Sequence, residues 1–299
     1  MKSDIYLAAN HVISPGSGRV DRIDDPQKDK HDSLYDACEK QHAKTNQNSF
    51  AMQDGDIRMR VSVVNGIEGK VFVLRKFAHA IREVNELKLP SHYTNTLLTA
   101  DMTGLVLVAG PTHSGKTTAC SSIIASRLKT FGGVAITIED PCEMPLNGSH
   151  GKGVCYQTDA SNSGGFSNAL RDVVRTSPDI IFLGEIRDSD TAIEAIKAAI
   201  NGHLIFATIH ADDVVSALLR LRSLASQVNP DSIDQVLAQG IGAILHMKLE
   251  SKLGQIAPVA EFISFIGDEN QGFRNAIEDG KHKQLSSAIS YHKNKARSY

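Results

Sequence analysis

The chain has 299 residues and no tryptophan, and only 5% of its residues are aromatic. Neither charge dominates: 32 basic side chains stand against 34 acidic ones, a net charge of −2. A protein that grips single-stranded nucleic acid combines a basic groove with aromatic rings on which bases stack. This composition has neither, and it opposes direct nucleic-acid binding. Cysteine is scarce too. Cys38, Cys120, Cys142 and Cys155 are scattered, with no C-x-x-C pair. That argues against a structural zinc site and a disulfide framework, and suits a reducing compartment. No stretch approaches the roughly 18 apolar residues of a membrane span, and Met1-Lys-Ser-Asp-Ile5 has no apolar leader core. These absences predict a soluble, cytoplasmic protein that meets a membrane only through partners.

Hydrophobic residues make up 41% of the chain, enough for a sizeable core, and the length favours two domains. The most informative stretch is Leu105-Val-Leu-Val-Ala-Gly110-Pro111-Thr112-His113-Ser114-Gly115-Lys116-Thr117-Thr118. A short apolar run ends at Gly110, and Gly115-Lys116-Thr117 opens a segment of helical character. Strand, glycine loop and helix with G-x-x-x-x-G-K-T spacing make a phosphate-binding loop. Inward backbone N–H groups and the positive helix end hold phosphate oxygens. In that arrangement Lys116 neutralises the β- and γ-phosphates of ATP, and the Thr117 hydroxyl ligates Mg²⁺. His113 stands where glycine is common, at a place that calls for positive φ.

Periodicity orders the rest. Ser14–Gly18 reads as a turn, and Arg19–Lys30 as a loop or hairpin connection. Asp32–Lys44 reads as a helix. Phe50–Val64 alternates as one half-buried strand. Asn65-Gly66 signals a hairpin, with Lys70–Arg75 returning. Val84–Leu89 leads as a linker into Pro90, and His92–Thr103 reads as a helix. After Gly104 the pattern changes to apolar strands (Leu105–Ala109, Val134–Ile138, Ile180–Leu183, Leu204–Ile209) alternating with helices (Gly165–Thr176, Thr191–Ile200, Val214–Leu224). Such strands, apolar throughout, predict a parallel sheet covered on both faces. Pro230–Leu249 reads as a helix, Pro258–Ser264 as a strand, and Gly280–Tyr299 as a fraying helix at a solvated end. The expectation is an α+β domain with its linker over residues 1–95 and an α/β domain over residues 96–299.

Acids that complete a phosphate site belong at the C-terminal ends of these strands. Glu139-Asp140 follows one strand and Glu185 follows Asp179-Ile-Ile-Phe-Leu-Gly184. Asn201-Gly202-His203 precedes the next strand, and His210 lies just past it. Each has a plainer reading: Glu139 and Asp140 as caps of a turn, Glu185 as a surface partner of Arg187, the histidines as satisfied half-buried residues.

Taken in order, Gly110-Pro-Thr-x-Ser-Gly-Lys-Thr-Thr118, Thr137-Ile-Glu-Asp-Pro141, Arg175-x-x-Pro178-Asp179-Ile-Ile-x-x-Gly184-Glu185-x-Arg187-Asp188 and Gly202-His203…Thr208-x-His210 resemble the secretion and pilus traffic ATPases of type II/IV systems. In that family these are the Walker A, Asp, Walker B and His boxes. The chain is most similar to the pilus-retraction (PilT) branch, and it lacks the tetracysteine zinc insert of the assembly ATPases. Likeness extends to Arg58-Met-Arg60-Val, to Val71-Phe-Val-Leu-Arg75 and to Gly272-Phe-Arg274-Asn275-Ala-Ile277, covering about residues 50–290.

The resemblance implies a PAS-like N-terminal domain joined to a RecA-like motor domain that hydrolyses ATP with Mg²⁺. It implies a homo-oligomer, a hexameric ring, acting at the inner membrane through a platform protein of a pilus or secretion machine. It makes Glu139 the residue that orients the attacking water and Glu185 part of the metal shell, roles that are open to exchange. It makes His203 and His210 reporters of the γ-phosphate, and Arg58, Arg60 and Arg75 candidate arginine fingers. Arg171 and Arg175 rank below these as phosphate contacts. His113, Asn201 and Ala211-Asp212-Asp213 depart from the usual boxes and point to a distant branch, such as one attached to a conjugation or plasmid pilus system. Two rivals stand beside this reading: a nucleic-acid motor, and a non-catalytic paralogue that binds ATP in mixed rings.

Overall fold

The computed structural model describes residues 4–9, 11–13, 20–22, 28–227, 232–252, 255–267 and 270–297. The predicted Ser14–Gly18 turn and half of the Arg19–Lys30 connection lie outside them. The chain forms two compact units, Met1–Ala80 with Pro141–Pro145, and Ile81–Asp140 with Leu146–Tyr299.

In the first unit, β1 (Ile5–Ala8), β2 (His11–Ile13), β3 (Val20–Arg22), β4 (Ser49–Asp54), β5 (Ile57–Gly66) and β6 (Gly69–Lys76) form an antiparallel sheet in the order β3-β2-β1-β6-β5-β4. Alternation buries Met59 and Val61 of β5 with Phe72 and Leu74 of β6. Helix α1 (Lys28–Thr45) closes this small core with Cys38. Phe50–Val64 is thus two strands and not one. Asp54 pairs with Ile57, and Gly55 takes a positive φ of 57° at the turn. The next hairpin closes between Gly66 and Gly69, so its tip is Ile67-Glu68 and not Asn65-Gly66.

The second unit begins earlier than residue 96, because Leu87 and Tyr93 already pack into its core. It contains a 3₁₀ turn (Val84–Leu87), then α2 (Ser91–Leu97), β7 (Gly104–Ala109), α3 (Lys116–Phe131) and β8 (Gly133–Glu139). β9 (Gly148–His150), β10 (Gly153–Asp159), α4 (Phe166–Val174), β11 (Ile180–Leu183), α5 (Ser189–Ile200), β12 (Leu204–Ile209) and α6 (Val214–Ser226) follow. The chain continues with α7 (Ile233–Gly240), β13 (Ile241–Lys252), β14 (Gln255–Ser264), α8 (Gln271–Glu278) and α9 (Leu285–Arg297). The sheet runs β14-β13-β7-β12-β11-β8-β10-β9, parallel from β13 to β10, with antiparallel strands at its two edges. Buried apolar clusters lie against both faces, as the strand compositions predict.

Two expectations fail here for physical reasons, and two strands are not predicted at all. The helix predicted over Pro230–Leu249 stops at Gly240, and Ile241–Lys252 is a strand beside β7. Its apolar run suits helix and buried strand alike, and periodicity does not separate them. β9 and β10 escaped notice because their glycine-rich, polar sequence alternates too little. The C-terminal tail is no solvated end: α9 buries Leu285, Ala288 and His292.

His292 also fixes α9 chemically. Its Nε2 accepts from the Ser264 N–H at 3.2 Å, so its proton sits on Nδ1. Nδ1 then donates to Nε2 of His92, 3.1 Å away on α2. Both rings must be neutral for this chain of bonds. Burial, helped by nearby Lys295, pushes the His92 imidazole below its ordinary value. A histidine held low in the folded state stabilises it above the unfolded value of about 6.5, and that contribution is lost as pH falls below it. Hydrogen-exchange protection factors, corrected for the slower intrinsic exchange at lower pH, are therefore expected to fall more in α9 than in α3 between pH 7.5 and 5.5, and a His92→Phe protein should lose the difference.

Candidate phosphate-binding site

Register brings the motif residues together. β7 pairs with β12 so that Ala109 faces Ile209, which puts Gly110 beside His210. β11 pairs with β8 so that Leu183 faces Ile138, which puts Gly184-Glu185 beside Glu139. Backbone bonds continue past the strands: Gly184 N–H donates to Ile138 at 2.8 Å and Ile186 N–H to Thr208 at 2.9 Å. The loop before Lys116, His210, Glu185 and Glu139 therefore share the C-terminal edge of the parallel strands.

The loop itself fits a phosphate group. His113 has φ of 64° and Gly115 of 91°, so the backbone turns through left-handed values before α3 begins at Lys116. Gly110 has φ of 150°, and a side chain there would strike the Met247 carbonyl. Lys116 is 8% exposed and its Nζ donates to the carbonyls of Gly110 at 2.9 Å and Pro111 at 2.8 Å. The ammonium thus lies over the loop, where phosphate oxygens compete for it. The buried Ser114 hydroxyl has no hydrogen-bond partner. Thr117 and Thr118 occupy the first turn of α3, among N–H groups that lack helical acceptors. Among the described residues no cluster of three His, Cys, Asp or Glu side chains surrounds a metal position. Mg²⁺ takes one or two protein oxygens and fills its shell with phosphates and water. Thr117 and Glu185 are the residues that would hold it.

Glu139 ends β8 and is 3% exposed. Gln157 of β10 donates to its Oε1 at 2.9 Å. Nothing in the sequence marks that partner, because Gly153–Asp159 carries no strand-like apolar alternation. Glu185 keeps its Arg187 contact, at 2.8 Å, and also meets His210 Nε2 at 3.3 Å. His203 is a correction. It precedes β12 and its Nδ1 lies 3.4 Å from the Pro178 carbonyl, at the N-terminal edge of the sheet. A strand of six residues, roughly 20 Å at 3.3 Å each, separates it from the loop. It does not join this site. Arg171 pairs with Glu194 and Arg175 with Asp172, both on exposed helix surface.

In the first unit, Arg60 and Arg75 face each other across β5 and β6. Asp4 holds both arms of Arg75, at 2.8 and 2.7 Å. Arg60 donates to Ser49 at 3.1 Å and lies 3.6 Å from Glu143. Arg58 rests over the Phe77 ring at 5.7 Å.

Residues 27–283 match the family model of the type II/IV secretion system protein. The chain belongs to that family. It is 30% identical over 298 residues to the type IV pilus retraction ATPase PilT of Pseudomonas aeruginosa, covering 96% of this chain and 84% of that one. It is 30% identical to the twitching motility protein of Neisseria gonorrhoeae over 78% of this chain, and 33% identical to a putative type II secretion system protein E of Escherichia coli over 75%. The chain spans 61% and 45% of the length of those two relatives, less than two thirds of each. The crystal structure of the pilus retraction motor PilT with bound ADP superposes with a TM-score of 0.80 at 28% identity, over 97% of this chain and 85% of that one. The Legionella pneumophila ATPase DotB shares the fold, with a TM-score of 0.77 at 19% identity over 97% of this chain and 86% of that one. No helix among the described residues is long and apolar enough to cross a membrane.

Proposed function

We propose that this protein is a Mg²⁺-dependent ATPase that works as a hexameric ring. It would power pilus dynamics of the retraction kind, or a type IV or conjugative secretion machine, through an inner-membrane platform protein. The observation that carries the reading is the convergence of the Lys116 loop, Glu139, Glu185 and His210 on one sheet edge. Family membership and the 30% identity to a pilus retraction ATPase support it.

In this reading the loop N–H groups and Lys116 bind the β- and γ-phosphates, and Thr117 and Glu185 hold Mg²⁺. The metal, when bound, supplies positive charge against those phosphates. Glu139, fixed by Gln157, orients the attacking water. His210 sits against Glu185, placed to donate to a γ-phosphate before hydrolysis and to lose that bond afterwards. Such order-giving contacts drive rigid-body switches. Of the candidate arginine fingers, Arg58 has the weakest tether, a ring contact, whereas Arg75 would have to leave a two-point ion pair.

The test is phosphate release by the purified protein with and without single-stranded DNA, paired with light-scattering mass with and without a non-hydrolysable ATP analogue. DNA-independent turnover and a six-subunit mass with the analogue are expected. Hydrolysis that requires DNA would favour a nucleic-acid motor. Nucleotide binding without turnover would favour a non-catalytic paralogue.

A further inference from the structure

Both glycines that define the phosphate loop rest on one residue outside every recognised box. β13 lies beside β7, and His246 faces Ala109, so the following residue, Met247, falls level with Gly110. The Met247 carbonyl occupies the space where a side chain at Gly110 would go. Its thioether methyl lies 3.5 Å from where a side chain at Gly115 would begin, the one contact within 4 Å of that point from outside the adjoining chain. Met247 is 4% exposed and packs in the core that carries Val106, Val108 and Ala119. One residue thus backs the loop at its entrance through main chain and at its exit through side chain.

We propose that Met247 is a positioning residue for nucleotide binding, its thioether holding Gly115 and the start of α3 in the conformation that accepts phosphate. This rests on the reading of the loop as the ATP site. Gly115 has a left-handed φ of 91° that directs the first N–H groups of α3, and it makes no side-chain contact of its own. A thioether is a flexible, polarisable filler that adapts to an irregular gap. Without it the point where a Gly115 side chain would begin loses its one non-local contact. Since Lys116 immediately follows, drift at Gly115 shifts the ammonium and the N–H groups together. Ground state and transition state both hold phosphates in this cradle, so the loss should fall on binding and leave the chemical step intact.

The experiment compares wild type with Met247→Ala and Met247→Leu by KM and kcat for ATP and by Kd for ADP. The alanine variant is expected to raise KM and Kd about tenfold, with kcat within about twofold. The leucine variant keeps most of the buried volume but ends one atom short of the methyl position, and is expected to raise both by about threefold. Thermal melts identify whichever variants fold, and leucine decides the matter if alanine does not. KM and Kd unchanged in a folded variant, or a fall in kcat at constant KM, would overturn the proposal and leave the ATPase reading standing. A wild-type protein that binds neither ATP nor ADP would instead remove the ATPase reading itself.

Discussion

Replacing Lys116 with alanine is expected to remove tight nucleotide binding and to lower ATP turnover by about a thousandfold or more. The side chain is almost fully buried and spans the loop by donating to the carbonyls of Gly110 and Pro111. It therefore braces the loop, and in the proposed ATP complex it would add positive charge beside the β- and γ-phosphates. Loss of the ammonium deletes both contributions. A fluorescent ATP analogue reads the binding, and released phosphate reads the turnover. A melt separates chemistry from folding, since two loop carbonyls lose their donor. Wild-type hydrolysis in a folded Lys116→Ala protein would show that the loop is not the site.

The second large effect belongs to Glu185. Glu185→Gln keeps the shape and one acceptor oxygen for Arg187 while removing the charge. ATP affinity is expected to stay within about threefold and turnover to fall by roughly 10²–10⁴-fold, the usual scale for losing a charged group that acts in the transition state. Glu139→Gln is the natural companion, because its neighbour Gln157 can bond an amide as readily as a carboxylate. The mutant with the larger loss of kcat at unchanged KM is the one that orients water. Equal wild-type turnover in both would remove the two acids from the mechanism.

Much of this was readable from the chain. Leu105–Ala109, Ile180–Leu183 and Leu204–Ile209 announce themselves because a parallel strand covered on both faces has no polar alternation to confuse it. The loop was legible because glycine, lysine and threonine at fixed spacing serve one chemical purpose. Other features depend on distant partners. Ile241–Met247 is a strand only because β7 offers it an edge, and nothing within those residues decides against a helix. Gln157 matters through its contact with Glu139, residues apart in sequence and adjacent only in the sheet. His203 misled because it shares a box with His210. A strand between two residues sends them to opposite ends of a sheet, whatever their closeness in sequence. The Asp54-Gly55-Asp56 turn is hidden in the sequence because apolar alternation continues on both sides of it.

The place of β13 bears on how this protein can be cut. Every box that builds the proposed phosphate site lies between Gly110 and His210, which invites an excised fragment ending near Gly240. Such a piece would leave the strand that feeds the glycine loop at a raw margin, its hydrogen-bonding groups open along one flank. It would also lack the floor beneath the loop. The smallest portion able to fold around its own ligand must therefore run some forty residues past the last recognisable signature, into sequence that advertises nothing.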